Sequence, residues 1–183
     1  MWHFLLFSLV LFQVFTPIFS LSARDVTDRF GSELWYLDQM SVPLAWDIET
    51  GSEDTIVAIL DAGFDMDHED LVGQYWRNED EVGGSKTDDD GNGYEDDVIG
   101  WDFVDGDPDP SPDVDGEVSD TVASHGTVIA GIIGATANNG FGISGINWDV
   151  SIMPLRVLNE FGAGSTTDVR RAIVYAVENG ADV

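Results

Sequence analysis

The chain contains no cysteine among its 183 residues, so no disulfide can brace it, even in an oxidising compartment that would permit one. Any bracing beyond a packed core has to come from bound ions. Positive charge is also scarce: 7 Lys and Arg stand against 35 Asp and Glu, for a formal net charge of −28. A surface of that sign repels nucleic-acid phosphates and anionic lipid headgroups and attracts divalent cations, which argues against nucleic-acid binding or a membrane-surface role. Also missing is an unbroken apolar run of the roughly 20 residues that a membrane span requires. The best candidate, Met1 to Phe19, is interrupted by Ser8, Gln13, Thr16 and Pro17.

That stretch is nevertheless apolar, and small residues follow it at Ser20, Ser22 and Ala23. It reads as a secretory signal over residues 1–22, cleaved near Ser22 or Ala23, although its first residues carry no Lys or Arg. The expectation is a secreted protein with no stable membrane insertion after cleavage. Residues 23–34 then form a short N-terminal segment. Residues 35–183 read as part of one domain, since domains cluster at roughly 100–200 residues. About half of the acidic residues lie between Glu79 and Asp120, an excursion rich in Asp, Gly and Pro within that domain. Such local charge calls for counter-ions.

Around the excursion, strand-like and helix-like pieces alternate, which argues for βαβ units, a parallel sheet and an α/β fold. Thr55 to Leu60 is a continuous β-branched and aliphatic run, the pattern of a strand buried on both faces. Pro43 to Glu49 reads as a short helix opening with proline and closing before Gly51. Ser124 to Ala135 reads as a helix with an apolar face of Val128, Ile129, Ile132 and Ile133, with Gly131 and Gly134 allowing approach to a sheet. His125 is expected in its first turn. Ser151 to Leu158 reads as a strand, with Pro154 expected near an edge or bulge. Thr167 to Asn179 reads as a helix whose face is Val169, Ile173, Ala176 and Val177. Ala181 to Val183 looks like the opening of a further strand, so the domain is expected to be incomplete at its C-terminus.

Asp61 follows a buried strand at its carboxyl end, where loops of an α/β sheet form a crevice. His125, near a helix start, can project its ring into the same crevice. Together they can form the orienting half of a nucleophilic site: the carboxylate accepts the Nδ1 proton, fixes the tautomer and stabilises the imidazolium, leaving Nε2 to take a proton from a hydroxyl. Taken alone, an aspartate after a strand is more often a cap or turn residue, and a His-Gly pair more often a turn or surface histidine.

Several strings in order change that balance. Trp35-Tyr36-Leu37-Asp38-Gln39, Ile56 to Gly63 with His68-Glu69-Asp70-Leu71 behind it, Ser124-His125-Gly126-Thr127 with Ala130-Gly131, Asn138-Asn139-Gly140, and Ile152 to Leu158 resemble the subtilisin-like serine proteases. The resemblance runs from about Trp35 to Val183. It implies the three-layer subtilisin-like fold, protein or peptide substrates, Asp61 as the triad aspartate and His125 as the general base. It also implies that the nucleophilic serine and the oxyanion-hole asparagine lie beyond Val183. None of Ser144, Ser151 and Ser165 has a Gly-Thr-Ser setting at a helix start, so residues 1–183 alone are not expected to hydrolyse peptides. Where the family usually has Ser or Thr beside the aspartate, this chain has Ala62. The large pro-domain of many relatives is not seen before Trp35. Leu158, Gly162, Ala163 and Gly164 resemble the family's peptide-binding edge, where small residues let a substrate pair as an added strand.

Calcium is the expected cofactor, at two places. In the loop Asp88 to Asp96, the oxygen-bearing Asp88, Asp90, Asn92 and Asp96 with glycine at Gly93 imitate an EF-hand spacing; the twelfth position is Ile99, so Asp97 or Asp102 would have to close the shell. By resemblance, Asp70 with the Asn139 loop matches a structural calcium site of the family. A non-enzymatic secreted calcium-binding module or pseudoprotease is the principal rival reading. A metal-dependent hydrolase using His125 and His68 would require the two rings to converge on one ion.

Overall fold

A computed structural model describes residues 24–113 and 120–183; the signal peptide read over residues 1–22 lies outside them. Two short helices, α1 (Trp35–Gln39) and α2 (Val42–Trp46), open the described chain. Their inward residues Leu37, Val42 and Trp46, with Leu34 just ahead of α1, form a small core of their own against Ile143, Ile146 and Trp148. Trp46 donates its Nε1–H to the carbonyl of Ile146 at 2.8 Å, tying this cap to the loop between the later elements. Pro43 lies in the first turn of α2, as its locked φ favours, but the helix ends at Trp46 and Gly51 opens the next strand instead of closing the helix.

The central sheet is parallel in the order β1–β3–β2, with β1 at Gly51–Asp61, β2 at Trp101–Asp102 and β3 at Asp149–Arg156. Ile56 to Asp61 pair residue for residue with Ser151 to Arg156. Period-2 alternation sorts the sheet's side chains into two layers. Met153, Leu155 and Val157 join Trp76, Trp101 and Phe103 beneath α4 (Thr166–Glu178). Ile59, Val150 and Ile152 join Phe64, Leu71 and Tyr75 beneath α3 (Asp120–Gly134). Helices on both faces of a parallel sheet make the α/β architecture that the alternating pattern predicts. Ala181 to Val183 run along the outer side of β1, with Asp182 N–H and Val183 N–H donating to Ile56 O and Ala58 N–H donating to Val183 O.

Three local expectations are revised. Pro154 is not at an edge: it lies in the middle strand, opposite Ile59. Its flank toward β2 is taken by Gly100, at φ 101°, where a Cβ would overlap the Pro154 carbonyl and lie 3.2 Å from its Cδ. The ladder to β2 begins one residue later, at Leu155, so the missing N–H costs no sheet bond on that side. The buried face of α4 is Ala172, Tyr175 and Ala176, while Ile173 and Val177 point outward; one large aromatic flanked by two alanines seats the helix better than the branched residues do. In α3, Val128 is exposed and Gly131 meets only Ile143, so Gly126, Ala130 and Gly134 face the sheet.

Candidate active site

The parity of β1 brings Asp61 to α3. Val57 and Ile59 pack in the layer beneath that helix, and two residues on, the same side of the strand presents the Asp61 carboxylate. On the helix, Gly126 removes the side chain that would hold the two apart. A Cβ there would overlap the carbonyl of Gly63 and sit 3.0 Å from Asp61 Cβ. His125, the neighbouring residue, then reaches Asp61 from above. Because α3 starts at Asp120 rather than at Ser124, His125 stands in its second turn and not its first, farther from the partial positive charge of the helix N-terminus that disfavours an imidazolium.

The contact is direct: His125 Nδ1 lies 2.8 Å from Asp61 Oδ2. The other carboxylate oxygen, Oδ1, accepts the backbone N–H of Ala62 at 2.7 Å, so the main chain supplies a donor beside the aspartate where the resemblance leads one to expect a hydroxyl. The Asp61 side chain is 9% exposed and that of His125 60%. The carboxylate is thus sheltered and the imidazole exposed, an arrangement suited to holding one imidazole nitrogen while the other meets a reactant. A cavity of about 610 Å³ adjoins it, lined by Phe64, Asp65, Ser111, Ser124 and Thr127 among others.

Gly126→Ala is therefore expected to destabilise the protein by about 1–3 kcal/mol, the usual cost of overpacking, and to separate Asp61 from His125. Gly131→Ala should be neutral or slightly stabilising, since a Cβ there meets only Ile143 Cδ1 at 3.7 Å and alanine favours helix. Denaturant unfolding of both variants checks the contrast.

A buried cation supports the same corner. Arg156, at the end of β3 and 1% exposed, bonds Asp102 through Nη1, Asp105 through Nη1 at 2.6 Å and Asp113 through Nη2 at 2.7 Å. Burial alone disfavours its charged form, but the hydrogen bonds it donates to Asp105 and Asp102 outweigh it and push the guanidinium pKa up. The segment so held passes over the aspartate's turn: Phe64 N–H donates to Pro110 O, and Pro112 fills the space where a Cβ of Gly63 would be. Sequence reasoning assigned Arg156 no role, although an arginine inside an otherwise apolar strand of a protein with so few basic residues signals a buried, paired charge.

The remaining candidates fall into place unevenly. Leu158 packs against the α4-side core and donates its N–H to Asp61 O. Gly162, Ala163 and Gly164 are exposed in a closed turn, where Asn159 engages both the amide and the carbonyl of Ala163. Ser144 is buried and bonds Asp28, Ser151 donates to Glu53 O, and Ser165 caps α4, so each of these serines already has a structural partner. His68 accepts the Asp70 N–H through Nδ1 and packs edge-on against Phe141. Asp70, 1% exposed, accepts from Asn139 Nδ2 at 2.7 Å and from Ile143 N–H at 2.9 Å, which brings those two candidate ligands together.

In the acidic loop, Asp88 is occupied by the amides of Gly91, Asn92 and Gly93, and Asp96 turns away to Lys86 N–H. Asp90 and Asn92 meet Asp97 and Asn78 instead. Burial raises the Asp97 carboxyl pKa; hydrogen bonds from Tyr175 and Asn92 oppose the shift, and the charges of Asp90 and Glu81 add to it. Among the described residues the one group with metal-ligand spacing is Glu81, Asp90 and Asp97, and neither His68 nor His125 belongs to it. Glu81 carried no distinguishing signal in the sequence, being one acid in an acidic run.

A sequence profile of the subtilase family matches residues 52–183. Halolysin from Haloferax mediterranei is 36% identical over 155 residues, covering 85% of this chain and 25% of its own length. Thermitase from Thermoactinomyces vulgaris is 36% identical over 154 residues, covering 84% of this chain and 44% of its own. A solved protease structure from Pseudoalteromonas arctica superposes with a TM-score of 0.63 at 27% identity, over 87% of this chain and 46% of that one. The chain thus spans less than half the length of these relatives. The described residues include no helix long and apolar enough to cross a membrane.

Proposed function

The chain belongs to the subtilase family, and from that premise we propose that it supplies the aspartate and histidine of a secreted serine endopeptidase acting on proteins or peptides. The 2.8 Å contact between His125 Nδ1 and Asp61 Oδ2, at the carboxyl end of the parallel strand β1, carries this reading. Asp61 holds the imidazole in the tautomer that leaves Nε2 as the proton acceptor. His125 takes the proton of a serine hydroxyl supplied from outside residues 1–183 as that oxygen attacks the scissile carbonyl, then returns it to the leaving amine. The imidazolium formed in between is stabilised by the sheltered carboxylate beside it. Leu158 and the Gly162–Gly164 turn form the edge along which the acyl part of the substrate lies, with specificity set by walls that these residues do not include.

The family implies structural calcium, and the surroundings of Asp70 fit it. A fully buried carboxylate with no cationic partner among the described residues faces a loop bearing Asn139, and at Gly142 a Cβ would overlap Asp70 Oδ2. An all-oxygen donor set suits a hard cation. Calcium there would fasten the Asn138–Ser144 loop to the core beside α3.

The test is covalent labelling of the full-length protein with a fluorophosphonate, which reacts with activated serines, together with hydrolysis of casein. Labelling and hydrolysis that both vanish in His125→Ala are expected. A wild-type protein that is folded but neither labels nor cleaves overturns the peptidase reading in favour of a non-catalytic, calcium-binding relative.

A further inference from the structure

The cavity of about 610 Å³ beside His125 has the size of a ligand pocket, for which roughly 300–1,000 Å³ is usual. Much of its wall is apolar: Phe64 and Met66 come from the turn after β1, Pro112 from the segment above that turn, and Ala123 and Val128 from α3. Two carboxylates, Asp65 and Asp67, line it while staying exposed to solvent. Asp65 is held from three sides: its N–H donates to Thr127 Oγ1 at 2.9 Å, its carbonyl accepts the Tyr75 hydroxyl at 2.9 Å, and its Oδ1 accepts the Asp67 N–H at 3.1 Å. No cation answers either acid: among the described residues the ion pairs go to Asp61, Asp102, Asp105, Asp113 and Asp168. His68, also on the wall, accepts the Asp70 N–H through Nδ1, the bond of a neutral imidazole. Position decides which part of a substrate reaches this cavity. The edge at Leu158 belongs to the layer beneath α4, whereas Phe64 and Met66 pack in the layer beneath α3. Edge and cavity therefore flank the Asp61–His125 pair from opposite faces of the sheet. A peptide whose acyl part lies along Leu158 and which crosses that pair brings its leaving-group side to the cavity.

Resting on the peptidase reading, we propose that this cavity selects an arginine or lysine side chain on the leaving-group side of the scissile bond, with Asp65 and Asp67 as the residues that set the preference. Long basic side chains lay a hydrocarbon stem on apolar surface while keeping the charged head in water. That division matches apolar walls carrying solvent-exposed carboxylates. An acidic residue in the same place meets like charge, and such repulsion sharpens a choice that attraction alone leaves shallow. Because both carboxylates are exposed, each ion pair is modest and weakens with added salt. Asp65 is the better placed of the two, since its backbone is fixed at both the amide and the carbonyl and little ordering is left for the substrate to supply. Neither acid takes part in moving the proton, so the effect falls on which peptides are cleaved and not on how.

The test uses full-length protein and peptides that differ only in carrying arginine, citrulline or glutamate at one position, scanned along both sides of the scissile bond. Citrulline is the uncharged isostere of arginine, so their ratio isolates charge. At a leaving-group position kcat/KM for arginine should exceed that for citrulline by roughly fivefold, the ceiling for a single exposed ion pair, and glutamate should fall below citrulline. Asp65→Asn, whose amide oxygen can still accept the Asp67 N–H, should bring arginine and citrulline within about twofold of each other. Should that variant fail to fold, Asp67→Asn carries the result by narrowing the same gap. Asp109→Asn removes an exposed acid that does not line the cavity and should keep the wild-type ratio, which separates the pocket from the protein's overall negative field. Equal rates for arginine and citrulline, a preference confined to acyl-side positions, or a preference that survives in the Asp65→Asn/Asp67→Asn double variant overturns the proposal and leaves the peptidase reading standing. If the wild type cleaves nothing, the peptidase reading falls instead, and calorimetric titration of the arginine and citrulline peptides into full-length His125→Ala protein decides the cavity by itself. Tighter binding of arginine that is lost with Asp65→Asn upholds a pocket for basic side chains; equal binding rejects it.

Discussion

Asp61→Asn in the full-length protein is expected to lower kcat by about four orders of magnitude, the loss seen when this aspartate is changed to asparagine in a Ser-His-Asp enzyme, while leaving the fold almost untouched. Asparagine has the same shape, and its carbonyl can still accept the Ala62 N–H that Oδ1 accepts now. What changes is the group facing His125. An amide nitrogen there donates a hydrogen bond where Oδ2 accepted one, so Nδ1 becomes the acceptor and the proton moves to Nε2, the atom that has to be bare. The negative charge that stabilises the imidazolium is removed at the same time. Since both effects belong to the transition state, kcat and kcat/KM should fall together with KM nearly constant. His125→Ala should cost at least as much, and the double variant little more than His125→Ala alone, because residues acting as one unit are not additive. Single-turnover kinetics on a peptide ester, alongside a melting curve showing the folded state intact, checks all three. An Asp61→Asn enzyme within tenfold of wild type would remove Asp61 from the site.

How much of this was legible beforehand depended on whether the signal was local. The run from Thr55 to Leu60 announces a strand, although Thr55 is exposed and only Ile59 of the run is buried where burial on both faces was expected, and period 2 then fixes which face Asp61 takes. The helix read over Thr167 to Asn179 agrees with α4 to within one residue at each end. The pairing of Asp61 with His125 was readable only through the accompanying strings, because 64 residues separate the two and no spacing rule spans that distance. Helix faces were harder. Aliphatic branching drew attention to Val128, Ile173 and Val177, whereas close approach to the parallel sheet is made by small residues, Gly126 and Ala130 as well as the Gly134 that the sequence singled out, and by one aromatic anchor, Tyr175. The acidic stretch misled in a similar way. EF-hand spacing picked out alternate residues, but Asp88 is spent capping its own turn and the partners of Asp90 come from Asn78, Glu81 and Asp97. Which acid in a run of acids turns inward is decided by tertiary contacts that a linear pattern does not contain.

Arg156→Met should be the most destabilising single change outside the hydrocarbon core, at about 3–5 kcal/mol, because removing one partner of a buried charge network strands the others. Against total stabilities of about 5–15 kcal/mol for ordinary domains, that is a large share. Methionine fills much of the volume, so the loss reports charge and not a cavity. Asp102, 1% exposed, is left without its cation, whereas Asp105 and Asp113, about half exposed, can turn to water. Adding Asp102→Asn to Arg156→Met should therefore recover a substantial part of the stability, while adding Asp105→Asn should recover little. Arg156→Lys should fall between wild type and Arg156→Met, since one ammonium keeps the charge but cannot fork toward three carboxylates at once. Raising the salt concentration should not reproduce the effect, because the pair with Asp102 is shielded from solvent and weakly screened. Denaturant melts of the four variants at two ionic strengths separate these outcomes. Activity should drop as well: the segment that Arg156 holds lies across Gly63 and Phe64, and the Val157 and Leu158 amides that follow it both bond the carbonyl of Asp61. Asp61 is thus gripped from its own strand end and from the loop above it, and Arg156 is the residue that joins the two.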